Sequence, residues 1–465
     1  MSEIREFDVV VVGAGPAGEV CAGRLSDGGL AVALVERELV GGECSFYACM
    51  PSKALLRPAQ ALAEARRVAG AAEAVRGEID VAAVLARRDE VVHDLDDSGQ
   101  LPWLEDRGIA LVRGHGVLSG EREVSVGEEV LRARRAVVLA TGTRASIPPI
   151  PGLREAEPWT NRQVTTAAAI PRSLLVLGGG VVGVEMSQAY ASLGASVTVV
   201  ESMERLIAAE EPFASEQVRE ALERAGVEVS LGVAATSVSR ATGDASRNPV
   251  RLELEDGSSF TADELLVAVG RSPHTDSLGL EVVGLEPGSP IEVDDTMRSP
   301  GRDWLYAIGD ANGRVLLTHM GKYQGRLAAD HILGRATALR SDGRLSPRVI
   351  FTEPQVAAVG HTLESARRAG LHASAVDVPV EENAGGSFIG HGAPGTARLV
   401  VDDDRGVLVG ATFTGVEVAE SLHAATIAVI GEVPIDRLAH AVPCFPTRSE
   451  MWLKLLEARE RAGSG

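Results

Sequence analysis

One pattern constrains this chain more than any other: a strand that opens onto spaced glycines, then a helix and a second strand, and it occurs twice. In the first copy the β-branched run Phe7 to Val12 leads into GAGPAG, with glycines at Gly13, Gly15 and Gly18. A helical apolar period follows, then a predicted strand over Leu30 to Val35 that closes on Glu36. In the second copy Ser173 to Leu177 leads into GGGVVG, with Gly178, Gly180 and Gly183, and the strand Ser196 to Val200 closes on Glu201. Each glutamate follows its first glycine by 23 residues, close to the ~20 expected of an acidic residue that binds a ribose hydroxyl. The three glycines permit a tight turn, backbone approach to a pyrophosphate, and close packing of helix on strand, with the pyrophosphate at the helix N-terminus. A single fingerprint is compatible with a tight turn that binds nothing. Recurrence of the whole unit predicts two dinucleotide sites.

A chain of 465 residues exceeds what one core supports, and at ~150 residues per domain it predicts about three domains. The turn-rich IPPIPG run, Ile147 to Gly152, marks the first boundary. Residues 151–270 hold the second glycine unit. From Val293 to about Gly334 short apolar strands and a helix return, including YAIGD at Tyr306 to Asp310, so residues 271–345 are assigned back to the first domain, 1–150. Residues 346–465 alternate strands (Val349 to Thr352, Ala397 to Val401, Val407 to Thr412) with helices near Leu363 to Ala369 and Val416 to Ile430. The expected fold class is α/β: two Rossmann-like domains and a C-terminal α+β domain. An Ala-rich helix is expected over Ala54 to Ala72.

The formal net charge of −20 repels phosphate backbones and anionic headgroups, which argues against nucleic acid and membrane as partners. No uncharged apolar run reaches the ~20 residues of a membrane helix, and Met1 to Phe7 does not read as a secretory signal. The expected location is the cytoplasm.

Four cysteines are too few for a disulfide scaffold. Cys44 and Cys49 are separated by four intervening residues in GGECSFYACMPSKALL, Gly41 to Leu56, while Cys21 lies in the first glycine-unit helix and Cys444 stands alone. A zinc site would need further ligands, and no second cysteine pair exists. Two inert core thiols are the other alternative. The glycines before the pair and the proline after it point instead to a constrained turn at a helix start, where thiolate is favoured. At the second dinucleotide site the Glu201 carboxylate repels a 2′-phosphate, so NADH is expected, with Arg205 leaving NADPH possible.

Taken together, GAGPAG at Gly13, GGECSFYACMPSK at Gly41, ATG at Ala140, GGGVVGVE at Gly178, VAVGRSPHT at Val267, YAIGD at Tyr306 and FTEPQVAAVG at Phe351 closely resemble the class I pyridine nucleotide-disulfide oxidoreductases over nearly the whole chain. The resemblance implies FAD in the first unit, NAD(P)H in the second, and a homodimer built on the C-terminal domain. It implies a redox disulfide between Cys44 and Cys49, with Cys49 nearer the flavin and Cys44 as the interchange thiol. It places Lys53 and Glu185 beside the flavin, a pair otherwise read as a surface ion pair. Asp310 would lie on the ribityl chain, Gly116 on the pyrophosphate side, Thr141 and Gly142 of the ATG run in the FAD site, and Gly270 and Arg271 at the nicotinamide nucleotide. His319 matches a histidine of the flavin-side helix and is read as structural support.

The chain departs from that family at its end. Disulfide reductases of this type carry a histidine followed five residues later by glutamate; here the run reads CFPTRSE, with Phe445 in the histidine's place and Glu450 retained. Phenylalanine neither takes nor returns the proton of an interchange thiol, so lipoamide and glutathione disulfide are poor candidates for the acceptor. His440 reads as a solvated loop residue and Cys444 as a small buried hydrophobe or a third thiol. Three functions are therefore weighed: a dithiol-mediated NAD(P)H oxidoreductase with a nonstandard acceptor, a quinone-type reductase acting directly from the flavin, and a flavoprotein redox sensor.

Overall fold

The computed structural model describes residues 4–241 and 248–463. It divides into two compact units. The first takes in the described residues up to Pro51, then Arg88–Ser146 and Gly270–Gly343; the second takes in Ser52–Arg87, the described part of Ile147–Val269, and the chain from Arg344 onward.

In the first unit the strand Ile4–Val12 lies between Val32–Glu36 and Glu129–Leu139, parallel to both, with Val12 opposite Val35 and Leu139. Ala110–Arg113 extends one edge in parallel. On the other side Leu305–Ala307 joins Glu129–Leu139 in parallel, and Glu123–Val126 and Gly116–Gly120 continue from it as an antiparallel meander. The valine run at 9–12 follows from burial on both faces: Val9 and Val11 enter one core with Leu25, Leu34, Val138 and Ile308, while Val10 and Val12 enter another with Val35, Leu131 and Leu305. The helices Pro16–Asp27 and Thr318–Ile332 pack together on the first face. Gly325 lets them close, since a Cβ there would meet the Ala17 carbonyl oxygen at 2.7 Å. The predicted strand over Leu30 to Val35 starts later, at Val32, because Gly29 takes φ +85° and Leu30 N–H bonds back to the Leu25 carbonyl, ending the helix first.

The second unit contains a parallel sheet ordered Glu228–Leu231, Ser196–Glu201, Ser173–Leu177, Glu264–Val267. A three-stranded antiparallel sheet, Ala235–Arg240, Val250–Leu254 and Ser259–Ala262, accompanies it. The C-terminal segment forms a five-stranded antiparallel sheet in the order Arg348–Ile350, Gln355–Gly360, Val407–Gly415, Thr396–Asp402, Ala373–Pro379. Helix Leu422–Ile430 and the closing helix Glu450–Gly463 pack on it through Ala425, Val429, Met451 and Leu455. The Ala-rich helix runs over Cys49–Arg67 rather than 54–72. It starts earlier because Pro51 falls in its first turn, where the missing N–H has no partner to lose.

Candidate redox and dinucleotide site

The two glycine loops are nearly superimposable in their geometry. Gly13 and Gly178 take φ +105° and +110°, and a Cβ on either would meet a carbonyl oxygen of the neighbouring strand's end, Ala140 at 2.4 Å and Ala268 at 2.5 Å. A Cβ on Gly18 or Gly183 would fall 1.9 Å from the oxygen of the loop's own first glycine. The middle positions differ: nothing lies within 4 Å of a Cβ built on Gly15, and only the Ala268 oxygen, at 4.0 Å, near one built on Gly180. Gly15 and Gly180 are also the N-caps of the following helices, with no side chain capping either. Open space thus faces uncapped N–H groups at a helix N-terminus, which is the cradle a pyrophosphate requires. Beside the first loop, Thr141 Oγ1 is buried with no partner, and a Cβ on Gly13 would lie 3.2 Å from the Thr141 Cα. A dinucleotide cofactor fits these residues.

Glu36 and Glu201 brace the loops. Glu36 accepts the Ala14 N–H at 2.8 Å and the Glu38 N–H at 2.7 Å; Glu201 accepts the Gly179 N–H at 2.6 Å and the Met203 N–H at 2.8 Å. Each carboxylate keeps a lone pair for a ribose hydroxyl, at Glu201 on the oxygen that meets Gly179, since the other also accepts the Ser202 hydroxyl at 3.3 Å. Arg205 turns to the Ala208 carbonyl at 3.2 Å.

The segment bearing Cys44 rests directly on the first loop. Gly41 (φ +113°) donates to the Ala14 carbonyl at 2.8 Å, and Gly42 (φ +59°) would place a Cβ 2.9 Å from the Gly15 Cα. The double glycine is therefore required by both conformation and contact. Cys44 follows in the single turn Gly42–Phe46, and Cys49 opens the Cys49–Arg67 helix. Both sulfurs are half-buried thiols. A hydrogen bond to Cys49, and then burial, push the Cys44 thiol far above its ordinary range, against smaller opposing effects of Thr318 and Lys322. Thr318 Oγ1 lies 3.4 Å from Cys49 Sγ. Sequence reasoning missed Thr318, although it adjoins His319; His319 itself is exposed on the helix surface.

A polar chain crosses the same unit. The Thr143 hydroxyl donates to Asp310 at 2.6 Å, Arg271 reaches the Thr143 hydroxyl at 2.6 Å and its carbonyl at 2.8 Å, and Arg271 approaches Glu43 at 3.5 Å. Burial raises the Asp310 carboxyl above the usual carboxylate range, opposed by the Thr143 bond and the Arg271 charge. Gly142 takes φ +69° and Gly270 φ +137°. Gly116 is wedged against strand valines, a Cβ there meeting Val12 at 2.9 Å and Val35 at 3.1 Å.

In the second unit Lys53 Nζ lies 2.7 Å from Glu185, whose carboxylate is 3% exposed and accepts the Phe351 N–H at 2.8 Å with its other oxygen. This is no surface ion pair: Lys53 also sits 4.7 Å from the centre of the Phe351 ring. The C-terminal residues are laid out differently. Phe445 is 77% exposed, and His440 and Cys444 are exposed too. On the single chain the Cys444 thiol lies outside the core. Glu450 begins the last helix with Oε2 buried and unpartnered.

Comparison with known proteins agrees with this geometry. Residues 7–325 match the family described as pyridine nucleotide-disulphide oxidoreductase, and residues 346–456 match the dimerisation domain of that family. The match supports a homodimer, and the exposed apolar residues Ile427, Val442, Phe445 and Leu453 lie in that segment. The chain is 32% identical to dihydrolipoyl dehydrogenase of Haloferax volcanii, covering 98% of this chain and 96% of the relative. It is 28% identical to mercuric reductase of Staphylococcus aureus, covering 96% of this chain and 81% of the relative. Among solved structures, LpdA from Mycobacterium tuberculosis aligns with a TM-score of 0.82 at 26% identity over 98% of this chain and 99% of that one. The flavoprotein disulfide reductase RclA from Escherichia coli shares the fold, with a TM-score of 0.84 at 24% identity over 97% and 99% of the two chains. Enzymes of this type use FAD and NAD(P)H. No helix among the described residues is long and apolar enough to cross a membrane. With the glycine cradles, the paired thiols and these matches in one chain, the protein belongs to the pyridine nucleotide-disulphide oxidoreductase family and is a flavin-dependent enzyme.

Proposed function

We propose that this enzyme passes an electron pair from NAD(P)H, through FAD and the Cys44/Cys49 pair, to a small-molecule acceptor other than lipoamide or glutathione disulfide. The observation that carries this is the contrast between an intact dithiol, with Cys44 hydrogen-bonded to Cys49 and Thr318 beside Cys49, and a non-titratable Phe445 in the place of the acid/base. In this proposal FAD is held by Gly13, Gly15, Gly18, Glu36, Lys53, Gly116, Thr141, Gly142 and Asp310, within residues 1–150 and 271–345. The nicotinamide cofactor is held by Gly178, Gly180, Gly183, Glu201, Gly270 and Arg271, chiefly within 151–270, and residues 346–465 form the dimer interface. NADH is favoured because both Glu201 oxygens are fixed by backbone N–H groups and Arg205 is turned to Ala208. A paired thiol in a chain of four cysteines suits a reducing compartment, so the cytoplasm is assigned.

When bound, the flavin supplies acceptance of hydride from the nicotinamide and release of an electron pair, chemistry no side chain performs. The protein's own residues orient and protonate. Lys53, held by Glu185, presents a fixed cation. Cys49, in the first turn of a 19-residue helix, carries negative charge where the helix dipole favours it. Cys44 Sγ keeps its proton through the bond to Cys49 and is the sulfur that meets the acceptor. As Cys44 and Cys49 join in a disulfide, two electrons and the Cys44 proton leave for the acceptor, and any second proton the acceptor needs comes from solvent; with no imidazole at residue 445, the Cys44 proton passes by way of Cys49 or the acceptor itself. That restricts turnover to acceptors needing no strong general acid, Glu450 being the one carboxyl retained from the motif.

The missing acid/base also favours a second reading, in which a quinone-like acceptor takes electrons directly from the flavin. Replacing Cys44 with serine separates the two. NADH turnover with the physiological acceptor should fall at least a hundredfold; unchanged turnover would reject the dithiol route.

A further inference from the structure

Of the 45 Lys and Arg residues in the chain, only Lys53, Lys322 and Lys454 are lysines. Lys53 is taken up by Glu185, and Lys454 stands exposed on the closing helix. Lys322 lies in the first unit, exposed on the helix Thr318–Ile332. Among the described residues no carboxylate comes within ion-pair distance of its ammonium.

The fold brings this ammonium to the two thiols. Thr318 opens the helix with its hydroxyl 3.4 Å from Cys49 Sγ, and the same hydroxyl bonds to Cys44. Lys322 stands four residues on, one turn along the same face. Helical side chains lean toward the N-terminus, so a residue at 322 covers the Thr318 turn. Beside Lys322, Gly321 packs on the neighbouring helix, where a Cβ on it would meet Ala17 Cβ at 3.2 Å. That contact falls in the opening turn of the Pro16–Asp27 helix, whose cap Gly15 is covered in turn by Gly42 of the thiol segment. The thiol segment and the opening turns of both helices therefore converge, and Lys322 supplies a cation there. Its charge favours the ionised forms of both Cys44 and Glu19. Burial raises the Glu19 carboxyl to about 7, so below neutral pH it carries little charge to compete. Glu43 is drawn toward Arg271 at 3.5 Å, and His319 is exposed one residue past Thr318.

A thiolate concentrates its charge on one atom, which a compact ammonium meets better than a flat, delocalised guanidinium. An opposite charge nearby favours ionisation of a thiol, and the thiolate is the form that reacts. With phenylalanine at 445, no imidazolium supplies that charge.

We propose that Lys322 is a positioning residue of the redox pair, its ammonium stabilising the first thiolate that forms when the Cys44/Cys49 disulfide is opened. This rests on the reading that the electron pair passes through those two sulfurs.

The test is the pH profile of iodoacetamide alkylation at Cys44 and Cys49, read by peptide mass spectrometry on the FAD-loaded full-length enzyme. The pair is first opened anaerobically with a phosphine, which is then removed. The phosphine opens it whether or not NADH does, so the profile isolates Lys322, and a parallel arm reduced with NADH reports the electron route. Lys322→Met should raise the midpoint of the profile by about 0.5–1 pH unit and slow alkylation at pH 7 about three- to tenfold. Lys322→Gln should do the same and carries the test if the methionine variant does not fold. Lys322→Arg keeps the charge and should show less than half of the shift. Glu19 and His319 are retained throughout, so the difference belongs to residue 322. A midpoint unchanged in the neutral variants, or raised as far by Lys322→Arg, would overturn the proposal. A pair opened by the phosphine and never by NADH would instead reject the electron route.

Discussion

Gly42 lies against Gly15: a Cβ on the first would come 2.9 Å from the Cα of the second. The redox segment is thereby seated on the glycine loop that cradles a dinucleotide, and Gly41 secures it through the Ala14 carbonyl. Gly42→Ala combines a positive φ of 59° with a backbone collision, a strain of roughly 1–3 kcal/mol. The expected outcome is purified protein with FAD occupancy reduced at least tenfold, read from the ratio of visible to ultraviolet absorbance, while Gly29→Ala, which meets nothing within 4 Å, retains its flavin.

The Lys53–Glu185 pair makes a second prediction. Glu185 is buried, so Lys53→Met strands a carboxylate rather than merely deleting a charge. With Lys53 itself a third exposed, the loss is set below that of a fully buried pair, at about 1–3 kcal/mol. Urea unfolding should show this loss for Lys53→Met and a smaller one for Glu185→Gln, whose amide oxygen still accepts the Phe351 N–H.

Glu19, in the first turn of the Pro16–Asp27 helix, is raised to about 7, first by burial, with Glu36 adding to the shift and Lys322 opposing it. The folded value lies above the ordinary 4.5, so between these two values the folded state binds more protons and stability falls as pH rises, levelling off above about pH 7. Glu19→Gln should therefore stabilise the FAD-loaded enzyme at pH 8 by on the order of 2 kcal/mol, with the gain fading toward pH 5. Urea melts at the two pH values check the sign.

Phe445 is 77% exposed on its own chain and lies in the segment matched to the dimerisation domain, so replacing it should spare the chain's own core. Phe445→His restores a titrating group where the family carries one. Activity with simple disulfides should rise roughly 10- to 100-fold, a part of the 10²–10⁴ that general acid/base catalysis supplies. Steady-state assays with lipoamide and glutathione disulfide check this; no gain would mean that the acceptor pocket, rather than proton transfer, sets specificity.

The fold class was legible because its signals are local. The spacing of Gly13, Gly15 and Gly18, repeated at Gly178, Gly180 and Gly183, follows from contacts within one loop and its own strand, so it survives as a sequence pattern. Helix limits were less legible: Pro51 marked a helix start in the sequence, yet the helix was placed from Ala54 although it opens at Cys49. What the sequence did not reveal lies in contacts between distant segments. Thr318 meets Cys49 across 269 residues, and Thr143 meets Asp310 across 167; neither has a periodic or spacing signal. The Lys53–Glu185 pairing was anticipated through resemblance alone, and its burial not at all.

The central claim is that the electron pair from the nicotinamide reaches Cys44 and Cys49. Anaerobic alkylation of the FAD-loaded enzyme with iodoacetamide, before and after one equivalent of NADH, followed by mass spectrometry of the Cys44/Cys49 peptide, tests it most directly. The expected result is a linked, unalkylated pair before NADH and an opened pair that takes up alkylation afterwards. Alkylation of both cysteines that is the same with and without NADH would contradict it.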